Sequence, residues 1–293
     1  MKLFDIIGNT PLIEIQRLNP NKGVTIYAKL EGQNPGGSVK DRAAYGMISG
    51  ALERGEIKRG DKLVEATSGN TGIALAMIAQ SMGVHMTLIM PETATAERRL
   101  AMQAYGAEVI LTPGAKTIEY SRELAEEMAT NEGYVMLNQF ANPDNYGMHY
   151  KTTGPEIWRD TDGTVTHFVS AMGTTGTIMG VSRYLKQHNS AVQIVGTQPT
   201  EGSSIPGIRR WSPEFLPKIF DPERVDRIVD VSESQATLMT QQLAREESIM
   251  AGMSSGGALA AALEVAAGID TGVIVFIVCD RGDRYLSSSL YDQ

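Results

Sequence analysis

Short apolar runs rich in β-branched residues alternate along the chain with longer segments in which apolar residues recur every three or four positions. The short runs predict β-strands at 24–30, 62–66, 85–90, 108–111, 134–137, 167–170, 193–197 and 273–279. The longer segments predict helices at 41–55, 73–82, 96–105, 116–130, 178–187, 232–246 and 256–267. This alternation is typical of an α/β fold in which helices cover mostly parallel sheets.

The length and composition suit an ordinary globular protein with two lobes. The chain has 293 residues, of which 42% are apolar, and such a length suits two packed lobes of roughly 100–150 residues each. No Pro/Gly/Ser-rich linker divides the sequence, and the best boundary candidate is the segment 142–150, which begins with the turn-forming residues NPDN. The net charge of −8 and the lack of a Lys/Arg-rich run argue against nucleic-acid binding.

The sequence gives no sign of a membrane, a disulfide framework or a metal. The apolar stretch in MKLFDIIGNTPL is too short for a signal peptide, and the longest apolar run, 272–279, is far below the roughly 20 residues that span a bilayer. The single cysteine, Cys279, excludes an internal disulfide, and the four histidines lack metal-ligand spacing. We therefore expect a cytoplasmic protein that binds no metal.

The first glycine-rich loop, 31–42, places a lysine at the start of a helix. Ser38 and Asp41 have the spacing of a capping box, so Lys40 lies in the first helical turn. The partial positive charge of a helix N-terminus disfavours an ammonium group there. It favours the neutral amine that a lysine needs to attack an aldehyde. A solvated surface lysine is the alternative interpretation.

The second loop, 65–72, has the composition of an anion site. A predicted strand ends, Thr67, Ser68, Asn70 and Thr71 follow, and a predicted helix begins. Backbone N–H groups and the helix dipole at such a turn attract anions, and the hydroxyls and the amide suit a carboxylate. The alternative is an elaborate helix N-cap, because Ser, Thr and Asn favour that position.

Two further loops open helices. The residues Gly173, Thr174, Thr175, Gly176 and Thr177 follow a predicted strand, lack the lysine of a Walker A motif and lack a full GxGxxG. Such a nest of N–H groups and hydroxyls suits one monophosphate, although a tight structural turn is an equal alternative. The segment 252–257, which contains Ser254, is by itself a capped helix start.

Taken together, these segments resemble the fold-type II pyridoxal-phosphate enzymes and, in more detail, the O-acetylserine sulfhydrylase (cysteine synthase) family. The resemblance runs from about residue 5 to 288 and rests on IGNTPL (7–12), NPGGSVKDRAA (34–44), EATSGNTG (65–72), GTTGT (173–177) and GMSSGGA (252–258). The segments SSIPGIRRW (203–211) and CDRGDRY (279–285) resemble the B-type isozyme of that family.

The resemblance implies a two-lobed α/β architecture. It has two mostly parallel twisted sheets with helices on both faces, and the cofactor lies in a crevice between the lobes. The smaller, mobile lobe, 35–147, grips the substrate, and the larger lobe, 1–34 with 148–293, binds the cofactor phosphate. The family also implies a homodimer.

The resemblance also implies roles for individual residues. Lys40 binds pyridoxal 5'-phosphate covalently and acts as the general base, Asn70 bonds the cofactor's ring hydroxyl, and Ser254 faces its pyridine nitrogen. Residues Gly173 to Thr177 hold the phosphate. The substrate carboxylate is bound by Thr67, Ser68 and Thr71.

The implied reaction is a β-replacement. O-acetyl-L-serine reacts with sulfide, and in the B-type enzymes also with thiosulfate, to give L-cysteine or S-sulfocysteine and acetate. Arg210 is the candidate donor-binding residue, because arginine's planar fork suits the oxygens of thiosulfate. Alternatively, the arginines of these loops, at 209, 210, 281 and 284, pair with Glu201, Asp280 and Asp283.

Other functions remain open from the sequence. The same fold carries cystathionine β-synthase-like and serine/threonine dehydratase activities. A non-catalytic amino-acid-binding protein is a further alternative, although the presence of Lys40 argues against it. Small-molecule substrates are the expected partners.

Overall fold

The computed structural model describes residues 1–292, apart from the side chain of Thr117. These residues form two compact units. The first unit contains residues 1–7 and 40–145, and the second contains 8–39 and the chain from 146 onward. The sequence placed the divisions at 34/35 and 147/148 and assigned the first residues to the larger lobe, whereas here residues 1–7 belong to the first unit.

In chain order, the strands of the described residues are β1 (Leu12–Glu14), β2 (Val24–Leu30), β3 (Lys62–Ala66), β4 (His85–Pro91), β5 (Glu108–Thr112), β6 (His167–Ala171), β7 (Gln193–Pro199), β8 (Arg227–Val231) and β9 (Gly272–Val278). The α-helices are α1 (Lys40–Glu53), α2 (Asn70–Met82), α3 (Ala96–Ala104), α4 (Thr117–Asn131), α5 (Pro143–Lys151), α6 (Thr153–Asp160), α7 (Gly176–His188), α8 (Glu233–Glu247) and α9 (Met253–Ala267). Short 3-10 turns join several of them.

The first unit is a three-layer structure around a parallel sheet in the order β3-β4-β5. Successive side chains of a strand point to opposite faces of the sheet. Leu63 and Leu88 accordingly join the core formed with α1 and α2. Val64 and Ile89 pack with residues of α4 instead. Because helices cover both faces, the central residues of the strands are mostly apolar.

The second unit has a six-stranded sheet in the order β1-β2-β9-β6-β7-β8. Every neighbouring pair is parallel except the short edge strand β1, which runs antiparallel to β2. Val275 packs in the core that contains α7 residues, and its neighbour Phe276 packs in the core that contains α9 residues. Helices therefore lie on both faces of this sheet as well, as the sequence predicted.

The segment 134–137 was wrongly predicted as a strand. Only an isolated bridge between Leu63 and Val135 forms there. Gly133 and Asn138 both have left-handed backbone conformations, with φ of 72° and 54°, and so limit the extended stretch on both sides.

Four elements were not predicted at all: β1, β8, α5 and α6. Strand β1 has three residues, and β8 is a short edge strand with a mostly exposed pattern. The helices α5 and α6 contain Pro143 and Pro155 near their starts and Gly147 and Gly154 within them. These residues resemble loop signals, although proline is favourable in a first helical turn.

Candidate cofactor and substrate sites

Lys40 is the first residue of α1, in the helix-start position that the sequence predicted. Its side chain is partly exposed, while the next two residues, Asp41 and Arg42, are fully buried. The burial of its neighbours fixes the direction of the first turn, so the position of Lys40 is defined by the helix. The field at the helix N-terminus favours the uncharged amine.

The hydroxyl loop, residues 67–71, stands at the carboxyl end of β3 and the start of α2. The helix begins at Asn70, earlier than predicted, so Asn70 and Thr71 lie in its first turn. The N-cap is Gly69, which has no side chain of its own to cap the helix, and its N–H donates to Thr67 Oγ1 at 3.4 Å. None of the hydroxyl residues of this loop is the N-cap, and the backbone N–H groups of such a helix start suit an anion.

The hydroxyl loop has a partner that the sequence did not reveal. Thr71 Oγ1 donates a hydrogen bond to Gln139 Oε1 at 2.9 Å, and both side chains are buried. The carbonyl of Gln139 in turn accepts from Asn145 Nδ2 at 2.8 Å. Residues 138–142 carry no periodic pattern, and nothing local in the sequence links them to Thr71.

In the second unit, the loop 173–177 follows β6 and opens α7. Its N-cap residue, Thr175, has a left-handed backbone with φ of 70°, a strained conformation for a β-branched residue. Among the described residues, the buried Oγ1 of Thr175 has no hydrogen-bond partner. A strained backbone, an unused buried hydroxyl and a helix N-terminus together fit a phosphate group.

The loop 173–177 is packed tightly against residues 207–211. A Cβ atom at Gly173 would lie only 2.8 Å from the carbonyl oxygen of Gly207, so only glycine fits there. The indole N–H of Trp211 donates to the carbonyl of Gly173 at 2.8 Å. Packing and hydrogen bonding with residues 207–211 thus fix the position of the loop.

His149, one of the four histidines without metal-ligand spacing, contacts this loop. Its Nε2 lies 3.3 Å from Thr177 Oγ1, and its Nδ1 lies 2.8 Å from Thr153 Oγ1. The imidazole is almost completely buried. It thereby ties the start of α7 to α6.

Ser254 is the second residue of α9 and is buried. The N-cap of α9 is Gly252, which has no side-chain cap, so Ser254 is not held as a capping residue. A Cβ atom at Gly207 would lie 3.4 Å from Ser254 Oγ. Ser254 therefore lies beside the same segment, 207–211, that packs against the loop 173–177.

The cysteine, Cys279, is partly exposed, and its N–H donates to Ser255 Oγ at 2.9 Å.

Arg210 lines a cavity of about 310 Å³ formed by residues 199–205 and 208–210. Its guanidinium pairs with Asp230 at 2.5 Å and donates from Nε to the carbonyl of Pro199 at 2.8 Å. Hydrogen bonds from Gln198 and Arg210 lower the pKa of Asp230. The partner of Arg210 is thus Asp230, which the sequence did not suggest.

The other arginines differ in their surroundings. Arg281 pairs with Asp283 at 3.4 Å, as the alternative interpretation expected. Arg284 donates to the carbonyl of Gly36.

Within residues 1–292, no helix has the length and apolarity needed to cross a membrane, and no group of His, Cys, Asp and Glu side chains could hold a metal ion.

Comparison with known proteins identifies the class. The family described as pyridoxal-phosphate dependent enzymes matches residues 3–280, and the chain belongs to that family. Cysteine synthase B of Pseudomonas aeruginosa is 58% identical over 290 residues, which cover 99% of this chain and 97% of the relative. The cofactor predicted from the sequence is therefore confirmed.

Solved structures agree. The cysteine synthase of Entamoeba histolytica superposes with a TM-score of 0.94 at 38% identity, covering 100% of this chain and 90% of that one. An O-ureido-L-serine synthase superposes with a TM-score of 0.93 at 37% identity, covering 99% of this chain and 94% of that one. The fold-type II architecture that the sequence predicted is thereby confirmed.

Proposed function

We propose that the chain is a cysteine synthase that converts O-acetyl-L-serine and sulfide to L-cysteine and acetate. The observation that carries the proposal is the 58% identity to cysteine synthase B over 99% of the chain. The helix-start lysine and the hydroxyl loop at the start of α2 are the groups that this reaction requires. The test measures the products formed from O-acetylserine with sulfide, from serine alone and from threonine alone. Cysteine from the first supports the proposal, whereas keto acids from serine or threonine would indicate dehydratase activity.

The proposed roles of the first unit concern the substrate. When bound, pyridoxal phosphate supplies an electron sink for negative charge at the substrate Cα. Lys40 binds the cofactor carbonyl, then takes the Cα proton as general base and later returns it. Thr67, Ser68 and Thr71 hold the substrate carboxylate with their hydroxyls and the backbone N–H groups of the helix start. Asn70 bonds the ring hydroxyl of the cofactor.

The proposed roles of the second unit concern the cofactor. Residues 173–177 hold the phosphate, and the buried Thr175 hydroxyl supplies one of the donors. Ser254 bonds the pyridine nitrogen. A hydroxyl is neutral and does not hold a proton on that nitrogen as a carboxylate does. The electron sink is then weaker, which favours loss of a good leaving group over racemisation or transamination.

Thiosulfate is proposed as a second sulfur donor. Arg210 lines a cavity large enough for a small anion, and its charge-assisted contact to Asp230 leaves 39% of its side chain exposed. To bind thiosulfate, Arg210 exchanges an exposed carboxylate partner for an anionic ligand. Such an exchange costs little, because exposed ion pairs contribute at most about 1 kcal/mol.

The donor role is tested with Arg210→Ala. The variant is expected to lose thiosulfate efficiency by roughly 10- to 150-fold, or about 1.5–3 kcal/mol, and to keep its efficiency with sulfide. Arg227→Ala is the matched control, since Arg227 also pairs with a carboxylate, that of Glu264. An equal fall for both donors removes the donor role, and so does a wild type that cannot use thiosulfate.

A homodimer and a cytoplasmic location are also proposed, and both rest on the family resemblance. The first unit is proposed to be the mobile, substrate-gripping part and the second the phosphate-binding part. Sedimentation of the purified protein tests the dimer: a single species near the monomer mass of 31.7 kDa at micromolar concentration contradicts it.

A further inference from the structure

Glu65 is a buried carboxyl group for which the proposed reaction has so far no role. It is the residue before the last of β3 and precedes the hydroxyl loop by two positions. Only 5% of the residue is exposed. Burying a carboxylate is costly unless it is paired or hydrogen-bonded. Its partners therefore indicate what it does.

The hydrogen-bond partner of Glu65 is a strained segment of backbone. Its Oε2 accepts from the backbone N–H of Asn138 at 3.1 Å. Asn138 has a left-handed conformation, with φ of 54°, and its carbonyl accepts from the N–H groups of Ala141 and Asn142, both at 3.0 Å. Asparagine tolerates this conformation better than most residues, but an external hydrogen bond still helps to fix it.

The residue that follows Asn138 contacts the hydroxyl loop. Gln139 Oε1 accepts from Thr71 Oγ1, and its carbonyl accepts from Asn145 Nδ2. Glu65 is thus connected to Thr71 through two hydrogen bonds and one peptide unit, and all of these residues lie in the first unit. A shift of Asn138 changes the direction from which Gln139 meets the Thr71 hydroxyl.

Charges near Glu65 act on its ionisation. Burial raises the pKa of Glu65 to about 7, while the Asn138 N–H and the charge of Arg122 oppose that rise. The Arg122 guanidinium lies 4.8 Å from the centroid of the Phe140 ring, so it flanks the same segment. Helix α2 carries no charged residue, and α1 carries Lys40, Asp41 and Arg42 in its first turn. Because the bond from Asn138 favours the carboxylate, the carboxylate in turn binds Asn138 more strongly than the acid does.

We propose that Glu65 is a positioning residue, whose carboxylate fixes Asn138 and thereby orients Gln139 and Thr71 toward the carboxylate of the substrate. The inference deepens the proposed function, since it rests on the role of Thr71 as a carboxylate ligand. Substrate binding then tightens as Glu65 ionises, whereas the chemistry at Lys40 is affected little.

The test compares Glu65→Gln with Glu108→Gln in the pyridoxal-phosphate-loaded protein. Glutamine keeps an acceptor oxygen of the same reach and cannot ionise. Glu108 is the matched control, because it lies at the opposite end of the same sheet, where it accepts from Thr87 Oγ1. Glu65→Gln is expected to raise the KM for O-acetylserine roughly fivefold, about the difference between a charge-assisted and a neutral hydrogen bond, with kcat nearly unchanged.

Two measurements need no turnover. The affinity for L-alanine, which has a carboxylate and no leaving group, is expected to rise in the wild type as the pH passes about 7, and this step is absent in Glu65→Gln. The Asn138 amide signal in NMR spectra of the ¹⁵N-labelled wild type is expected to titrate over the same range. This second measurement needs no variant and therefore holds even if Glu65→Gln folds poorly.

The inference is overturned if Glu65→Gln has the KM and the pH step of Glu108→Gln, or if the Asn138 amide does not titrate near pH 7. The proposed function fails in a different way, namely if the wild type forms no cysteine from O-acetylserine and sulfide. The L-alanine and NMR measurements remain interpretable in that case.

Discussion

A lysine at a helix N-terminus lies in a field that penalises its ammonium form. Lys40 occupies that position, and in the proposed reaction it is both the cofactor-binding amine and the base. We expect Lys40→Ala to abolish cysteine formation while the thermal unfolding midpoint stays within a few degrees of the wild type. Arginine cannot replace it, because a guanidinium does not deprotonate. Lys58→Ala, at an exposed position of the same unit, is the control and should retain activity.

Thr67 and Asn70, two polar residues of the hydroxyl loop, are expected to act differently. Thr67→Ala removes a hydroxyl proposed to bind a charged carboxylate, which should weaken substrate affinity by about 1.5–3 kcal/mol. Thr67→Ser keeps the hydroxyl and should restore most of that affinity. Asn70→Ala should lower kcat with little change in affinity, because Asn70 is proposed to orient the cofactor. Spectral titration with L-alanine measures the affinities, and an unchanged value for Thr67→Ala refutes the carboxylate role.

The raised pKa of Glu65 leads to a prediction of how the stability of the first unit depends on pH. Its pKa rises from an ordinary value of 4.5 to about 7 on folding, so the folded state favours the protonated acid. The resulting stability is fully present below pH 4.5 and is lost as the pH rises through 7. The loss amounts to about 3 kcal/mol, at 1.36 kcal/mol for each pKa unit.

Glu65→Gln removes this dependence. The free energy of urea-induced unfolding of the variant, relative to the wild type, should therefore increase by up to about 3 kcal/mol between pH 4.5 and pH 8. A difference between Glu65→Gln and wild type that does not change with pH contradicts burial as the cause of the raised pKa.

Local sequence pointed to some of the proposed site residues and not to others. Lys40 and the hydroxyls at 67, 68 and 71 stand out because glycines and a helix start surround them. The proposed roles of Glu65 and Gln139 rest on contacts between positions 65, 138, 139 and 71, most of which are far apart in the chain. No periodicity or capping rule encodes such contacts.

Among the elements, α7 is preceded by a loop, 173–177, that is proposed to bind the cofactor phosphate and is held in position by packing. The loop before it is held against the carbonyl of Gly207, and Gly173→Ala would place a Cβ atom 2.8 Å from that oxygen. The loop must shift, at a cost of roughly 1–3 kcal/mol, so we expect the variant to lose pyridoxal phosphate during dialysis faster than the wild type. The cofactor's absorbance measures its retention.

The matched control is Gly147→Ala in α5. A Cβ atom there meets nothing within 4 Å, and alanine favours a helix more than glycine does, by about 0.5–1 kcal/mol. Gly147→Ala should thus keep the cofactor and unfold at an equal or higher temperature. If both variants retain the cofactor equally, the close packing of Gly173 against the Gly207 carbonyl is not needed for the loop 173–177 to hold the cofactor.

The elements that the sequence predicted well are those with long apolar cores. The strands β2, β3 and β7 begin where the pattern placed them, because each is buried over most of its length. The helix α2 begins three residues before the predicted start at 73. Its first turn is polar and therefore breaks the apolar periodicity on which the prediction relied, and this polar turn is the proposed substrate-binding segment.

For the whole molecule, the alternation of strands and helices was sufficient to predict two mostly parallel sheets. It did not predict the strand order. Strand β9, from the end of the chain, lies between β2 and β6 in the six-stranded sheet and pairs with both. Because the parallel strands are all similarly apolar, the sequence pattern does not distinguish this order from another. The assignment of residues 1–7 to the first unit is likewise a long-range packing effect.

The central claim is that the chain replaces the β-acetoxy group of O-acetyl-L-serine by sulfur. The most direct measurement is mass spectrometry of the products formed by the purified protein, loaded with pyridoxal phosphate, from O-acetyl-L-serine and sulfide. The wild type is expected to form L-cysteine and acetate in equal amounts, and the Lys40→Ala variant is expected to form neither. Pyruvate without cysteine, or no acetate release by the wild type, would contradict it.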